Sequence, residues 1–240
     1  MRSAGELRVY ASAADIATAL AQQFVAAAHV AIGSRGRFSV ALSGGTTPKA
    51  TYALLAAPPF AKAIDWSSVE IFFGDERCVP PDHDQSNYRM AREAFLRPLA
   101  IPDAQVHRMR GEDDPPRAAA AYRDDLVATL GEQPRFDLVM LGMGPDGHTA
   151  SLFPGSDPLT DDAQLVRAVY SSSQSQWRIT LTPRAINAGR AVVFAVEGAG
   201  KAKTLAAVRE GPYDPTALPS QIVAPTDGTL IWLADDAAAS

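Results

Sequence analysis

At 240 residues and 47% hydrophobic content the chain can bury a large core, and with no interdomain linker, internal repeat or low-complexity tract, residues 1–240 are read as a single domain. Its 22 basic and 27 acidic residues give a formal charge of -5, so no global positive field exists to draw nucleic acid, and a small anionic ligand would need a local basic pocket. Cys78 is the only cysteine, which excludes an intramolecular disulfide framework and a cysteine-based zinc cluster and fits a reducing compartment.

The first predicted strand is 7–10, in a start where Glu6, Arg8 and Asp15 interrupt any signal-peptide apolar core. An Ala-rich helix follows at 13–32, then a strand at 38–42 and a helix at 48–55, with Thr47 as expected N-cap and Pro48 in its first turn. Residues 69–73 predict a strand, 87–96 a helix capped by Ser86, and 116–130 a helix after a polar loop at 111–116. Strands at 137–141, 165–170, 191–196 and 229–233 complete the pattern, with a polar loop at 171–175, a helix at 201–209 and a frayed tail at 235–240. Short β-rich runs alternating with helices indicate an α/β fold with a largely parallel sheet flanked by helices, its middle strands buried on both faces. The continuous apolar runs fall far short of the roughly 20 residues that span a bilayer, so a soluble cytoplasmic protein without a membrane partner is expected.

In open parallel sheets ligands gather beyond the carboxyl ends of strands, and the unusual residues of this sequence fall there. Ser43-Gly44-Gly45-Thr46-Thr47-Pro48 follows a strand and opens a helix. Its glycines permit close backbone approach, and the helix N-terminus offers N–H groups to an oxyanion, although an ordinary tight turn has the same composition. Asp75, Glu76 and Arg77 end the third strand, and could orient a histidine or a substrate hydroxyl and hold an anion, or form a solvated ion pair. Cys78 beside them has no activating neighbour in sequence and reads as an inert thiol.

The segment from Leu141 to Pro154 is the most informative. Three glycines and a proline shape an irregular loop that presents His148, with Asp146 two residues before it. An imidazole, with an unperturbed pKa of about 6.5, can take a proton from water and return one to a leaving oxygen. Lys201 follows a strand at the start of a helix, where a cation opposes the helix dipole unless an anion is also bound. Arg178 stands in a strand-like run that sequence physics alone would not single out. His29, His83 and His107 lack metal-ligand spacing, so no metal is assigned.

The motifs SGGTTP, FFGDER, NYRMA, GMGPDGHTASLFP and GAGKA, in this order, closely resemble the 6-phosphogluconolactonase family, relatives of glucosamine-6-phosphate deaminase within a Rossmann-like group. The resemblance implies a phosphate pocket from Ser43, Gly44, Gly45, Thr46, Arg178 and Lys201, with Asp75, Arg77 and His148 near the sugar ring and reacting carbonyl. It implies hydrolysis of 6-phospho-D-glucono-1,5-lactone without a cofactor, on a small sugar-phosphate lactone and no nucleic acid, and leaves the oligomeric state open. The deaminase pattern continues from the shared aspartate-glycine-histidine toward an asparagine-glutamate-proline ending, where this chain has Phe153-Pro154. A deaminase and a noncatalytic sugar-phosphate sensor are the alternative readings.

Overall fold

The chain follows the order β1 (Glu6–Tyr10), α1 (Ala13–Arg35), β2 (Phe38–Leu42), α2 (Thr46–Leu55), β3 (Val69–Phe73), β4 (Asp75–Arg77), α3 (Asn87–Ala91), α4 (Pro115–Leu130) and β5 (Leu138–Gly142). It continues through β6 (Val166–Ser171), β7 (Gln176–Leu181), α5 (Pro183–Asn187), β8 (Ala191–Val196), α6 (Ala202–Glu210) and β9 (Thr229–Asp235). The computed structural model describes residues 4–159 and 163–240. Six strands form one all-parallel sheet in the order β1-β9-β8-β5-β2-β3. Because side chains alternate across a strand, the central strands feed two cores at once. Val40, Leu42, Leu138 and Met140 enter the core on one face, and Ala41, Val139 and Leu141 enter the core on the other.

Helix α1 is long and apolar enough to cross a membrane by length and composition alone, a feature that a search for continuous apolar runs passes over. Here it is a core helix. Ile16, Leu20, Phe24, Ala28 and Ala31 recur at helical spacing and are buried in the core that also holds Phe38 and Val40 of β2. Ser12 caps its start by accepting from the Asp15 N–H, and Gly36 ends it in the left-handed region at φ 74°.

Several expected elements come out differently. The run at 165–170 does not join the parallel sheet. It becomes β6, which pairs antiparallel with β7, and β7 pairs with β4 to make a separate three-stranded sheet. The polar stretch 171–175 is the turn of this hairpin, with Ser175 at φ 49°. An apolar run encodes burial but not strand direction, and β4, short and charged, carries no strand pattern. The helix expected at 87–96 is α for its first turn and then becomes a π-helical turn at Arg92–Leu96, where the Arg97 N–H reaches back to the Arg92 carbonyl. Ser86 caps it as expected, whereas α2 starts one residue before Thr47, because Gly45 at φ 110° turns the chain early. The tail is not frayed: the Asp235 carboxylate accepts the N–H groups of Gly198 and Ala238, and Ala238 is buried.

From β2 the chain moves to β3 at one edge, whereas β5 leads through β8 and β9 toward the other. The adjacent pair β2 and β5 is therefore the topological switch point, and a crevice opens at their carboxyl ends. At the opposite end Asp137 ties the two strands together. Its carboxylate accepts the Ser39 N–H at 2.9 Å and hydroxyl at 3.1 Å, and Arg35 at 2.7 Å. Asp137→Ala leaves the buried Ser39 N–H and hydroxyl proton without their carboxylate acceptor, and is expected to lower unfolding stability by on the order of 3 kcal/mol in urea titration.

Candidate active site

Four loops converge on a cleft of about 200 Å³ at the switch point. The loop after β2 contributes Ser43, Gly44, Gly45 and Thr46, and leads into the ten-residue helix α2, whose first N–H groups are suited to an oxyanion. Its entry is fixed by Tyr52, whose hydroxyl donates to the Ser43 carbonyl at 2.8 Å and accepts the Ser43 N–H at 3.1 Å. Complete burial pushes the Tyr52 phenol well above its ordinary range, so it stays neutral and can make both bonds.

On β4, Asp75 is buried and holds its carboxylate between two donors, the Asn87 amide at 3.2 Å and the Ser151 hydroxyl at 2.7 Å. Arg77 donates through Nη1 to the Gln85 carbonyl at 2.8 Å and to the Asn87 amide oxygen at 2.7 Å. Glu76 points the other way. Its carboxylate accepts the N–H groups of Arg77, Asn87 and Tyr88 and the Ser86 hydroxyl, which ties β4 to the start of α3. Burial raises the Glu76 pKa above the ordinary carboxylate range despite the opposing pull of those N–H donors.

The loop after β5 presents His148. Its Nδ1 lies 2.5 Å from Asp146, whose N–H acceptor role also reaches the His148 backbone at 3.2 Å. With Nδ1 engaged by a carboxylate, Nε2 is the nitrogen available to act as a base. Desolvation works to raise the Asp146 pKa, but the hydrogen bond and charge of His148 outweigh it, and the carboxyl lies below its usual value. The loop closes on itself through Gly144 N–H to the His148 carbonyl at 2.9 Å. A Cβ on Gly144 would sit 2.1 Å from His148 Nδ1, so only glycine leaves room for the ring. Phe153 flanks the imidazole, with centroids 5.1 Å apart.

Beyond β8, Lys201 forms the N-cap of α6 rather than its first turn, and it lines the cleft with Glu197. Burial lowers the Lys201 pKa, against the opposing charges of Glu197 and Asp235. Glu197 also accepts the Thr46 hydroxyl, which links the fourth loop to the first.

Thus Ser43, Gly44, Gly45, Thr46, Asp75, Arg77, His148 and Lys201 all line one cleft. Arg178 does not line it. It lies on β7 opposite Arg77, is 6% exposed, and turns its guanidinium to Gln174, while its Nε is shielded without a partner. Burial lowers its pKa, and the charge of Asp75 opposes that. Asn87, Ser151 and Glu197 belong to the site as well. Asn87 and Ser151 stand in the motifs NYRMA and GMGPDGHTASLFP without being singled out there, and nothing in sequence marks Glu197. Half-burial pushes the Cys78 thiol up to about 11, which keeps it protonated. Among the described residues no group of three or more His, Cys, Asp or Glu side chains is arranged to hold a metal, and His107 is instead engaged by Asp125 and Glu70 on opposite ring nitrogens.

Fold and cleft together define a Rossmann-like α/β protein that sets a helix N-terminus opposite a histidine. The family described as glucosamine-6-phosphate isomerases/6-phosphogluconolactonase matches residues 11–232, and the chain belongs to it. It is 42% identical to a 6-phosphogluconolactonase of Synechocystis, over 87% of this chain and 86% of that one. It is 38% identical to the 6-phosphogluconolactonase of Mycobacterium tuberculosis, over 97% of each. The solved 6-phosphogluconolactonase from Trypanosoma cruzi superposes with a TM-score of 0.91 at 31% identity, over 100% of this chain and 97% of that one. A monomeric glucosamine-6-phosphate deaminase at 18% identity and TM-score 0.83, over 98% of each chain, shares the fold.

The tightness around Gly144 is directly testable. Gly144→Ala should push the imidazole off Asp146 and abolish the downfield Nδ1 proton resonance of His148 in proton NMR, with the unfolding midpoint little changed. Persistence of that resonance would show that the ring does not depend on the missing Cβ.

Proposed function

We propose that this chain hydrolyses 6-phospho-D-glucono-1,5-lactone to 6-phospho-D-gluconate in the oxidative pentose phosphate pathway, with His148 as the acid/base group. The observation that carries the mechanism is the Asp146–His148 pair facing the β2 loop across the cleft: one carboxylate fixes Nδ1 and leaves Nε2 toward the space where a substrate would lie. The family and its named lactonases support the substrate.

The phosphate sits at the N-terminus of α2 with Lys201, and this anchors C1 of the lactone beside His148. Nε2 removes a proton from water as the water oxygen bonds to C1. The carbonyl electrons move onto oxygen, giving a tetrahedral oxyanion that Arg77 can stabilise. Collapse of that intermediate breaks the bond from C1 to the ring oxygen, which takes the proton from the imidazolium. The new acid then loses its proton to solvent. The steps balance without a cofactor, and the substrate is the only partner required. Arg178, paired with Arg77 from the neighbouring strand β7, balances the negative charge of Asp75. Phe153, an apolar neighbour of His148, favours lactone opening over deamination, which calls for proton movement between carbons. The cytoplasm is the proposed setting.

The test is hydrolysis of fresh lactone coupled to oxidation of 6-phosphogluconate, corrected for spontaneous opening. His148→Ala should lower kcat about 100- to 10,000-fold. Lys201→Ala should raise KM about 10- to 100-fold with a smaller effect on kcat, the loss of one charge-assisted contact to phosphate. A folded wild-type protein with no turnover above background, but ammonia release from glucosamine 6-phosphate, would select the deaminase. Tight 6-phosphogluconate binding without turnover of either would select a sensor.

A further inference from the structure

Resting on the lactonase reading, we propose that Asn87 is a positioning residue for the reaction: its amide is the fixed spacer that holds the Arg77 guanidinium and the Asp75 carboxylate apart and aims both at the sugar ring.

Asp75 and Arg77 are two residues apart on β4, so their side chains leave the same face of the strand. Opposite charges so placed would ordinarily meet. Here Asn87 stands between them, 2% exposed. Its Nδ2 donates to the Asp75 backbone carbonyl at 2.9 Å and to the Asp75 carboxylate at 3.2 Å, and its Oδ1 accepts from Arg77 Nη1 at 2.7 Å. Only one orientation of the amide satisfies this set, because a flipped amide would face NH₂ to a guanidinium and oxygen to a carboxylate. A direct ion pair would let each charge quench the other. The amide instead keeps both charges in place and fixes their separation.

The spacer is also where the loops of the cleft meet. Ser151, three residues after His148, holds the other Asp75 carboxylate oxygen at 2.7 Å, so Asp75 is clamped between the α3 start and the histidine loop. A Cβ on Gly44 would lie 2.2 Å from Asn87 Oδ1, so the anion-binding loop rests directly on the amide. Glu76 fixes the Asn87 backbone from beneath through its N–H at 2.8 Å. The charged groups around the amide are Asp75, Glu76 and Arg77 on β4 and Arg178 on β7.

Two variants separate positioning from mere structural support, each assayed for lactone turnover from about pH 5 to pH 8 beside wild type. Asn87→Ala removes both contacts, and kcat should fall about 10- to 100-fold at every pH with a much smaller change in KM, since the phosphate contacts remain. Asn87→Asp keeps the shape and the acceptor for Arg77 but sets a carboxylate oxygen against Asp75. Two carboxylates this close ionise together only at a cost, so they share a proton when the pH is low enough to supply one. The ratio of N87D to wild-type kcat should therefore be low at pH 8 and climb as the pH falls, a recovery that N87A lacks. A kcat for N87A within about twofold of wild type, or an N87D profile parallel to wild type, overturns the proposal. Absence of turnover in the wild type itself overturns the lactonase reading instead, and the two failures are thereby distinct.

Discussion

β2 lies hydrogen-bonded between β3 and β5, with Val40 opposite Leu138 and Ala41 opposite Val139 on one side and the full length of β3 on the other. The chain departs from this strand pair in opposite directions, so no helix covers the gap beyond their carboxyl ends. Every loop of the cleft is an extension of a strand set by this pairing: Ser43 follows β2, β4 follows β3, His148 follows β5, and Lys201 follows β8. A shift of register by one residue would send Val40 and Leu42 to the wrong core and tilt the loop after β2 away from the histidine loop. The packing of two apolar cores thus sets the geometry of a polar site that meets them through Met143 and Ala195.

The site concentrates charge where water is scarce. Asp75, Glu76 and Arg178 are all below a tenth exposed, and such burial is tolerable only when each charge meets donors or acceptors of matching sense. Glu76 does so with three backbone N–H groups and a hydroxyl, and Asp75 with an amide and a hydroxyl, while the exposed Asp146 orients the imidazole. These carboxylates act mainly by fixing other groups. Lys201 and Arg77 remain as the cations that line the cleft, and the burial that lowers the Lys201 pKa also lowers the dielectric through which it attracts an anion. A net charge of -5 over the chain is therefore compatible with an anionic ligand, because the local arrangement and not the total decides.

The small antiparallel sheet has a narrower task. By pairing Asp75 with Thr180 and Arg77 with Arg178, β7 makes a strand of three residues that would otherwise be a loop, and this gives the acid and the guanidinium a rigid base. Thr180 also accepts the Ser151 N–H at 3.1 Å, so the same strand supports the segment that follows His148.

Residue order alone determined a great deal. The six parallel strands are legible because each is a short apolar run bounded by turn residues, and the histidine loop because glycines at Gly144 and Gly147 have no use in a connector that merely spans a gap. The clustering of Ser43 to Thr46, Asp75, Arg77, His148 and Lys201 was readable from their places at strand ends, since parallel topology puts all those ends on one edge. What the tertiary structure decided is whatever depends on pairing between distant segments. The direction of β6, the existence of β4 as a strand, and the placement of Arg178 opposite Arg77 with its guanidinium on Gln174 follow from strand partners that leave no periodic trace. Asn87, Ser151 and Glu197 join the site through side-chain hydrogen bonds made across 12, 76 and 151 positions of the chain, and a contact made by one side chain with a remote partner has no local pattern from which it could be inferred.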